Sequence, residues 1–547
     1  MELFNDTFLE FAAMLALAVG AGLIGRFLRQ PLIVSFIAVG LLVGPYGLSL
    51  LQSDDQVHLL SEMGIAVLLF VVGLKLDVSL IRSTGKVALY AGLGQVLFTS
   101  VFGFLLNRWM GFDMVVSIYV AVALTFSSTI IIVKLLSDKK EIDTLHGQIS
   151  IGFLIVQDIV VIIAMIALSA MGTPSEYPLW QEIAIVVLKG IGLIVLIILL
   201  MRFVLGWLTS MLARTPELLV LFSLTWAITL AGFSDFLGFS KEVGAFLGGI
   251  SLASTPYREV IAGRLTSVRD FLLLFFFISL GSQVNVPLLG EQIFPAVVLS
   301  LFVLIGNPII VMVILGLMGY RKRTGFLAGL NVAQISEFSL ILAALGLSLG
   351  QINEETLGLI TLVGLITIGI STYLIMYSHQ IYEKVSFLLD VFEKKVPTTE
   401  LGDENLAHRP FDIIIFGLGL YGNSIAKSLE KAGFKVFGVD FDPKAVKRWK
   451  KKGRAAQYGD ADDPELHEIL PLSAQCIIST ITDKQINFAL IKYLKLGDFK
   501  GHIAMTSYTG RTAKELEKAG ADLILLPFAD AAEGIPEKLK SLKKKEE

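Results

Sequence analysis

The sequence predicts a polytopic α-helical membrane protein of about 13 spans, with an inverted repeat and two interrupted crossing helices, followed by a C-terminal Rossmann-like α/β domain. Three observations predict it. Apolar runs of roughly 18 to 25 residues recur as far as Tyr377, each long enough to cross a bilayer. Two of these runs are broken at matching places by hydroxyl and amide residues. A glycine-rich turn between an apolar run and a helical pattern opens the charged stretch beyond His379. The 547 residues are 54% apolar and 17% charged, with a mean hydropathy of +0.73. An ordinary soluble domain carries about 25% charged residues.

Spans are predicted at Thr7–Phe27, Ile33–Leu51, Leu59–Leu74, Val87–Leu106, Met114–Val133, Gly147–Met171 and Ile183–Leu208. They continue at Leu218–Phe233, Val243–Ser254, Phe271–Gly281, Phe294–Met318, Thr324–Leu349 and Thr356–Tyr377. The ninth and tenth have short apolar cores. Loop charge alternates along this series. Arg26/Arg29, Arg82/Lys86, Lys139/Lys140, Arg214, Arg258/Arg264/Arg269 and Arg321/Lys322/Arg323 follow odd-numbered spans. The other loops carry Asp54/Asp55, Glu176, Asp235, Glu291 and Glu354/Glu355, with Arg108 and Lys241 as basic exceptions. Cytoplasmic loops hold the excess of Lys and Arg, so the N-terminus is expected outside and the tail inside. The acidic start MELFNDTFLE lacks the basic region of a secretory signal, so the first span is expected to remain. Residues 1–378 form the membrane region, 379–410 a linker helix and loop, and 411–547 the soluble domain.

The single cysteine, Cys476, excludes an intramolecular disulfide and a thiolate cluster. Nothing in the charge pattern suggests a nucleic-acid-binding face.

Spans four to six and eleven to thirteen read as two copies of a three-helix unit. Seven spans separate equivalent members, an odd number, so the second copy is inverted. Secondary transporters use this architecture and place the ion site at the midplane between repeats. Span five breaks at Thr125-Phe126-Ser127-Ser128-Thr129, and span twelve breaks at Asn331-Val332-Ala333-Gln334-Ile335-Ser336-Glu337. Polar side chains at mid-depth can satisfy backbone groups freed by unwinding.

Asp158 lies near the middle of span six, beside Gln157. A carboxylate at a helix centre costs about 2.5–3.5 kcal/mol to insert, so it is rarely structural. It can hold a proton or a dehydrated cation, and hardly both, which suffices for antiport. Glu337 is the other mid-membrane acid, expected to neutralise a helix terminus or hold the unwound part of span twelve together with Asn331 and Gln334. Lys134 reads as an interfacial anchor.

Several segments together carry a resemblance. Ser127-Ser128-Thr129 and Gln157-Asp158 occur with Gly73-Leu74-Lys75-Leu76-Asp77, Phe275-Phe276-Phe277-Ile278-Ser279-Leu280-Gly281 and Gln334-Ile335-Ser336-Glu337-Phe338. The set resembles the monovalent cation:proton antiporter-2 family, in particular its Kef-type potassium efflux branch. The resemblance implies that Asp158 binds the transported K⁺ or the proton, with Gln157, Ser127, Ser128 and Thr129 around it. It further implies a multi-pass protein of the bacterial inner membrane, a homodimer, and an ancillary cytosolic regulator. The Gln-Asp pair resembles potassium exchangers, whereas an Asp-Asp pair would resemble electrogenic sodium exchangers. Many relatives carry a Lys where this chain has Gly306-Asn307-Pro308.

In the tail, Phe411–Phe416 reads as a buried strand, followed by Gly417-Leu418-Gly419-Leu420-Tyr421-Gly422 and a helix over Asn423–Ala432. Lys435–Val439 is a second strand ending at Asp440. In that order the glycines admit phosphate to a helix N-terminus and the acid binds ribose hydroxyls, while repelling a 2′-phosphate. Further strands are predicted at Cys476–Thr480, Ile503–Thr506 and Leu523–Leu526. The order resembles the N-terminal half of regulators of potassium conductance, in which the turn matching Gly459-Asp460-Ala461-Asp462 lies near adenine. The resemblance implies a regulatory adenine nucleotide (AMP or NAD(H), with ATP open) at Gly417, Leu418, Gly419, Tyr421, Gly422, Asp440, Asp460 and Ala461.

The expected function is therefore K⁺ efflux coupled to H⁺ entry by alternating access, regulated by a nucleotide and without enzymatic chemistry. Sodium:proton exchange is the alternative within the class. A nucleotide-gated potassium channel lacks its selectivity-filter sequence here, and a membrane-bound oxidoreductase would explain only the tail.

Overall fold

The computed structural model describes residues 7–45, 47–48, 54–75, 78–171, 179–237, 239, 241–283, 289–393, 410–461, 463, 470–471, 473–533 and 535–536. The chain divides into two compact units. The first comprises Met1–Lys139, Ile149–Ile314 and Gly325–Ile381, and the second Lys140–Gln148, Leu315–Thr324 and Tyr382–Glu547.

The helices begin with α1 (Thr7–Phe27), α2 (Leu32–Val43), α3 (Asp54–Lys75) and α4 (Val78–Trp109). Next come α5 (Met114–Ala123), α6 (Thr129–Asp138), α7 (Leu145–Met171) and α8 (Leu179–Leu200). After a π-helical turn at Met201–Leu205 the chain continues as α9 (Gly206–Leu212), α10 (Pro216–Phe236), α11 (Lys241–Ala253) and α12 (Arg258–Ser282). Then α13 (Leu289–Leu301) passes through a second π-helical turn, Phe302–Gly306, into α14 (Asn307–Leu317). The series closes with α15 (Lys322–Asn331), α16 (Glu337–Ser348) and α17 (Glu354–Met376). Among the described residues, nine helical runs are long and apolar enough to cross a membrane, and α2, α5 and α16 are shorter apolar helices.

Small residues bring these helices together. A Cβ on Gly73 of α3 would strike the carbonyl of Phe246 in α11, and one on Gly249 would strike that of Phe70. Gly40 of α2 and Gly281 of α12 meet in the same way. Close backbone approach of this kind replaces the hydrophobic drive that lipid removes.

Several predicted spans change length: the third begins at Asp54 and the fourth at Val78, each earlier than predicted. The second stops at Val43, because Gly44-Pro45 ends the helix before Leu51. The tenth is a 25-residue helix from Arg258 to Ser282 and not a short run from Phe271. Its charged half stays helical, with Arg269 Nη2 paired to Asp270 Oδ1 at 2.6 Å.

The second unit continues from α18 (Ser378–Val385) and a 3-10 turn at Ser386–Phe392. The linker predicted at Pro397–Pro410 lies outside the described residues up to Pro410. The sheet region runs β1 (Ile413–Phe416), α19 (Leu420–Lys431), β2 (Val436–Asp440), α20 (Pro443–Lys451) and β3 (Ala455–Tyr458). It ends with β4 (Cys476–Ser479), α21 (Lys484–Leu496), β5 (His502–Thr506), α22 (Gly510–Ala519), β6 (Leu523–Leu525) and α23 (Pro527–Glu533). All pairings are parallel, in the order β3-β2-β1-β4-β5-β6, that of doubly wound dinucleotide-binding sheets. Alternate residues of β1 serve opposite faces: Ile413 and Ile415 join one core, Ile414 and Phe416 the other.

Candidate functional site

In the membrane unit, the site is built where two helices come apart. Between α5 and α6 the chain is non-helical at Thr125–Ser128, and its freed backbone groups find side chains. The Ser127 N–H donates to Gln157 Oε1 at 3.0 Å. The Thr125 carbonyl accepts from Gln95 Nε2 at 3.2 Å and Gln157 Nε2 at 3.3 Å. Ser128 caps α6 by accepting the Ile131 N–H.

The second break lies between α15 and α16. Ser336 caps α16 in a capping box with Ser339, and the Ile335 N–H donates to Thr367 Oγ1 at 3.3 Å. The two breaks touch. Ser127 Oγ donates to the Val332 carbonyl at 3.0 Å, and Ser339 Oγ donates to that of Ala123 at 2.5 Å.

Asp158, on α7, faces the first break. The Thr129 hydroxyl lies 3.2 Å from both its oxygens. Asp158 and Thr129 keep partial exposure, whereas Ser127, Ser128 and Gln157 are buried. Of the predicted set, Thr129 bonds Asp158 directly, while Gln157 holds the Ser127 N–H, Ser127 donates to Val332 and Ser128 caps α6, so oxygen groups of all five line the break. Such donors suit a proton or a hard cation; thiolate and imidazole ligands would suit softer transition metals.

The predicted supporting residues lie at the second break. Asn331 Nδ2 donates to Ser150 Oγ of α7 at 3.0 Å, and Gln334 Oε1 accepts from Ser371 Oγ at 2.7 Å. Glu337 is buried as the first residue of α16, where a carboxylate complements the helix dipole. Lys134 is exposed, in keeping with an anchor. Of the motif Gly73–Asp77, residues Leu76 and Asp77 lie outside the described residues.

Sequence reading missed Gln95 and Thr99 of α4. Both are fully buried, one helical turn apart on one face, and Gln95 Oε1 accepts from Gln157 Nε2 at 2.7 Å. Two polar residues four apart in an apolar helix were the available signal.

In the second unit, Gly417 has φ +89°, the left-handed region that favours glycine. A Cβ on Gly422 would strike the Gly417 carbonyl, while one on Gly419 would meet open space. The N-terminus of α19 has no side-chain cap, so the Gly419 turn leaves room for phosphate at free backbone donors. Asp440, at the end of β2, accepts the Leu418 N–H at 2.5 Å and the Asp442 N–H at 2.8 Å. Burial pushes its carboxyl above the ordinary value, against the lowering effect of those two hydrogen bonds.

Tyr421 is half-buried in the first turn of α19. The side chains of Leu418 and Ala461 point into the core, leaving only their backbones for a ligand. Asp460 is engaged by Arg323 Nη1 at 2.9 Å, and Asp463 by Arg321 Nη1 at 2.8 Å. Asp462 lies outside the described residues.

Comparisons with known proteins show the same division. Residues 13–376 match the family described as sodium/hydrogen exchanger, transmembrane, and residues 413–527 match the TrkA-N domain. The chain is 30% identical over 407 residues to the iron transporter MagA of Paramagnetospirillum magneticum, covering 74% of this chain and 93% of that one. It is 26% identical to a provisionally named K(+) efflux antiporter, KefB, of Alkalimonas amylolytica, over 85% of this chain and 70% of that one. It is 25% identical to a provisionally named cation/proton antiporter, YbaL, of Escherichia coli, over 85% of each.

Proposed function

This chain belongs to the sodium/hydrogen exchanger family, and we propose that it exchanges K⁺ for H⁺ at Asp158 under control of an adenine nucleotide held by its Rossmann-like unit. It is a transporter and not an enzyme. The observation that carries the reading is the position of Asp158: a partly exposed carboxylate facing the break in an interrupted helix, accepting from the Thr129 hydroxyl and lying beside the buried, neutral Gln157.

The Asp158 carboxylate holds either a proton or a partly dehydrated cation, with the buried Glu337 carboxyl close by at the second break. Cation binding expels the proton on one side of the membrane, and protonation expels the cation on the other. Gln157 beside it adds no charge, and with Glu337 keeping one protonation state throughout, one proton exchanges for one monovalent cation and the cycle moves no net charge. The resemblance of the Gln157-Asp158 pair to potassium exchangers supports K⁺ over Na⁺ as the exchanged cation. The breaks at Thr125–Ser128 and Val332–Ser336 supply the two jointed helices that alternating access needs.

The tail acts as a regulator. Gly417, Gly419 and Gly422 admit the phosphate to the N-terminus of α19, and Asp440 offers its remaining lone pairs to the ribose hydroxyls. AMP or NAD(H) fits that frame. The segment Leu315–Thr324, with Arg321, Lys322 and Arg323, belongs to the same compact unit as the tail, which supports a tail on the cytoplasmic face of a bacterial inner membrane. Function as a homodimer completes the proposal.

The test is flux in proteoliposomes carrying a pH dye. An outward K⁺ gradient should acidify the lumen as H⁺ counterflow requires, without generating a membrane potential, and AMP or NAD(H) should change the rate. A Na⁺ gradient should drive less. No proton movement with either cation contradicts the reading, and faster exchange with Na⁺ replaces K⁺ by Na⁺.

A further inference from the structure

Asn307 is the first residue of α14, directly after the π-helical turn Phe302–Gly306. A π turn inserts one residue into the α-helical series, which rotates the residues beyond it by about 100° at 3.6 residues per turn. Asn307 is fully buried, whereas Ile305, just before it, and Ile309 and Val313, beyond it, stay exposed.

Asn307 meets the end of an ordered chain of hydrogen bonds. Its Oδ1 accepts the Thr99 hydroxyl at 2.9 Å. Thr99 Oγ1 accepts from Gln95 Nε2 at 3.0 Å, and Gln95 Oε1 accepts from Gln157 Nε2 at 2.7 Å. Gln157 Oε1 accepts the backbone N–H of Ser127 at 3.0 Å. A backbone N–H can only donate, so Ser127 fixes the orientation of Gln157. Gln157 then fixes Gln95, Gln95 fixes the Thr99 proton, and Thr99 fixes the Asn307 amide. Gln95, Thr99, Gln157 and Asn307 are all buried, and each is neutral.

The far end of the chain carries the second observation. Asn307 Nδ2 is buried with no hydrogen-bond partner among the described residues. An orphan of this kind costs free energy, so the amide is not held here merely to satisfy itself.

We propose that Asn307 is a positioning residue for cation exchange: acting through Thr99 and Gln95, it steadies the Gln157 amide against the unwound segment that leads into Thr129, and thereby sets the cation affinity of Asp158. The inference rests on the reading of Asp158 as the exchange site. Its geometric content is that the relay clamps both sides of that site. Gln157 adjoins Asp158 on α7, and Ser127 lies two residues before Thr129, which donates to Asp158. Without the acceptor on Asn307, Thr99 can turn its proton elsewhere and Gln95 loses an ordered partner, so the Gln95–Gln157 pair is held to the unwound segment only by its bonds to the Thr125 carbonyl and the Ser127 N–H.

The test is the kinetics of K⁺-driven proton movement in proteoliposomes, with KM and maximal rate measured separately for Asn307→Ala, Thr99→Val, Thr99→Ser, the Asn307→Ala/Thr99→Val double variant and Asp158→Asn. Losing one neutral hydrogen bond from the relay should raise KM about tenfold in Asn307→Ala and in Thr99→Val. The maximal rate per folded transporter should stay within about twofold, and the double variant should be no worse than either single one. Thr99→Ser keeps the hydroxyl and should return KM to the wild-type value. If Asn307→Ala does not insert, the isosteric Thr99→Val against Thr99→Ser carries the comparison. Wild-type KM in both relay variants, or equal defects in Thr99→Ser and Thr99→Val, overturns the relay. Exchange by Asp158→Asn at the wild-type rate overturns the underlying site, whatever the relay variants do.

Discussion

The Ser127 hydroxyl donates a 3.0 Å hydrogen bond to the carbonyl of Val332, tying the break in one interrupted helix to the break in the other. Both groups are buried, so the bond replaces water that neither can reach. Ser127→Ala leaves the Val332 carbonyl without this donor and should destabilise the membrane unit by about 1–3 kcal/mol. Ser127→Thr keeps the hydroxyl and should lose less. Thermal unfolding in detergent measures both; equal stability of wild type and Ser127→Ala would show that the crossing is held elsewhere.

Loop charge predicts the orientation of the chain. With Cys476 replaced by Ser, a cysteine introduced at Glu176 should react with an impermeant reagent added outside the cell, and one at Lys139 should not. The reverse labelling would invert the topology and move the tail out of the cytoplasm.

At the nucleotide site, Asp440→Ala should weaken binding of AMP or NAD(H) at least tenfold and blunt its effect on flux, leaving the K⁺/Na⁺ preference unchanged. A chain ending after Lys395 should ignore nucleotide altogether. The pH dependence has a definite sign. Burial raises the pKa of Asp440, so its proton is taken up at a higher pH than the roughly 4 of an exposed aspartate. Ribose hydroxyls donate to the charged form, so affinity should fall on acidification, beginning above that value, and Asp440→Asn should lack the fall. Isothermal titration across pH measures it. Equal nucleotide sensitivity of flux in wild type, Asp440→Ala and the chain ending after Lys395 would leave the tail as a stability module.

Within the second unit, Arg321 and Arg323 are buried against Asp460 and Asp463. Removing one member of a buried ion pair strands the other, at a cost of about 3–5 kcal/mol. Arg323→Ala should therefore be more harmful than the Arg323→Ala/Asp460→Ala pair. Limited proteolysis and thermal unfolding test this; simple addition of the two single effects would mean that the charges are not coupled.

Much of this architecture could be read from the chain because its signals are local. Thr125 to Thr129 interrupts an apolar run with consecutive polar residues, and the strand–glycine–helix order around Gly417 is complete within 30 or so residues. Asp158 stood out because a lone carboxylate at that depth is costly. The features that escaped are non-local. Gln95 and Gln157 are 62 residues apart, and Thr99 and Asn307 are 208 apart. A hydrogen bond between neutral side chains leaves no periodicity in either segment. The π-helical turn that aims Asn307 inward lies within the apolar run Phe302-Val303-Leu304-Ile305-Gly306. The length of α12 escaped for a different reason: Arg269 and Asp270 interrupt the apolar count, yet neighbouring charges can pair without ending a helix. The pairing of Asp460 with Arg323 is likewise non-local, since the two lie 137 residues apart in the chain.

The measurement that bears most directly on the account is cation-driven proton movement by Asp158→Asn in proteoliposomes, beside wild type and Asp158→Glu. The amide keeps the size of the side chain and the capacity to accept from Thr129, but it cannot alternate between a proton and a cation. Coupled exchange should vanish in Asp158→Asn while the protein folds and still binds nucleotide, and Asp158→Glu should keep part of the activity. Wild-type exchange by Asp158→Asn would contradict the account at its centre.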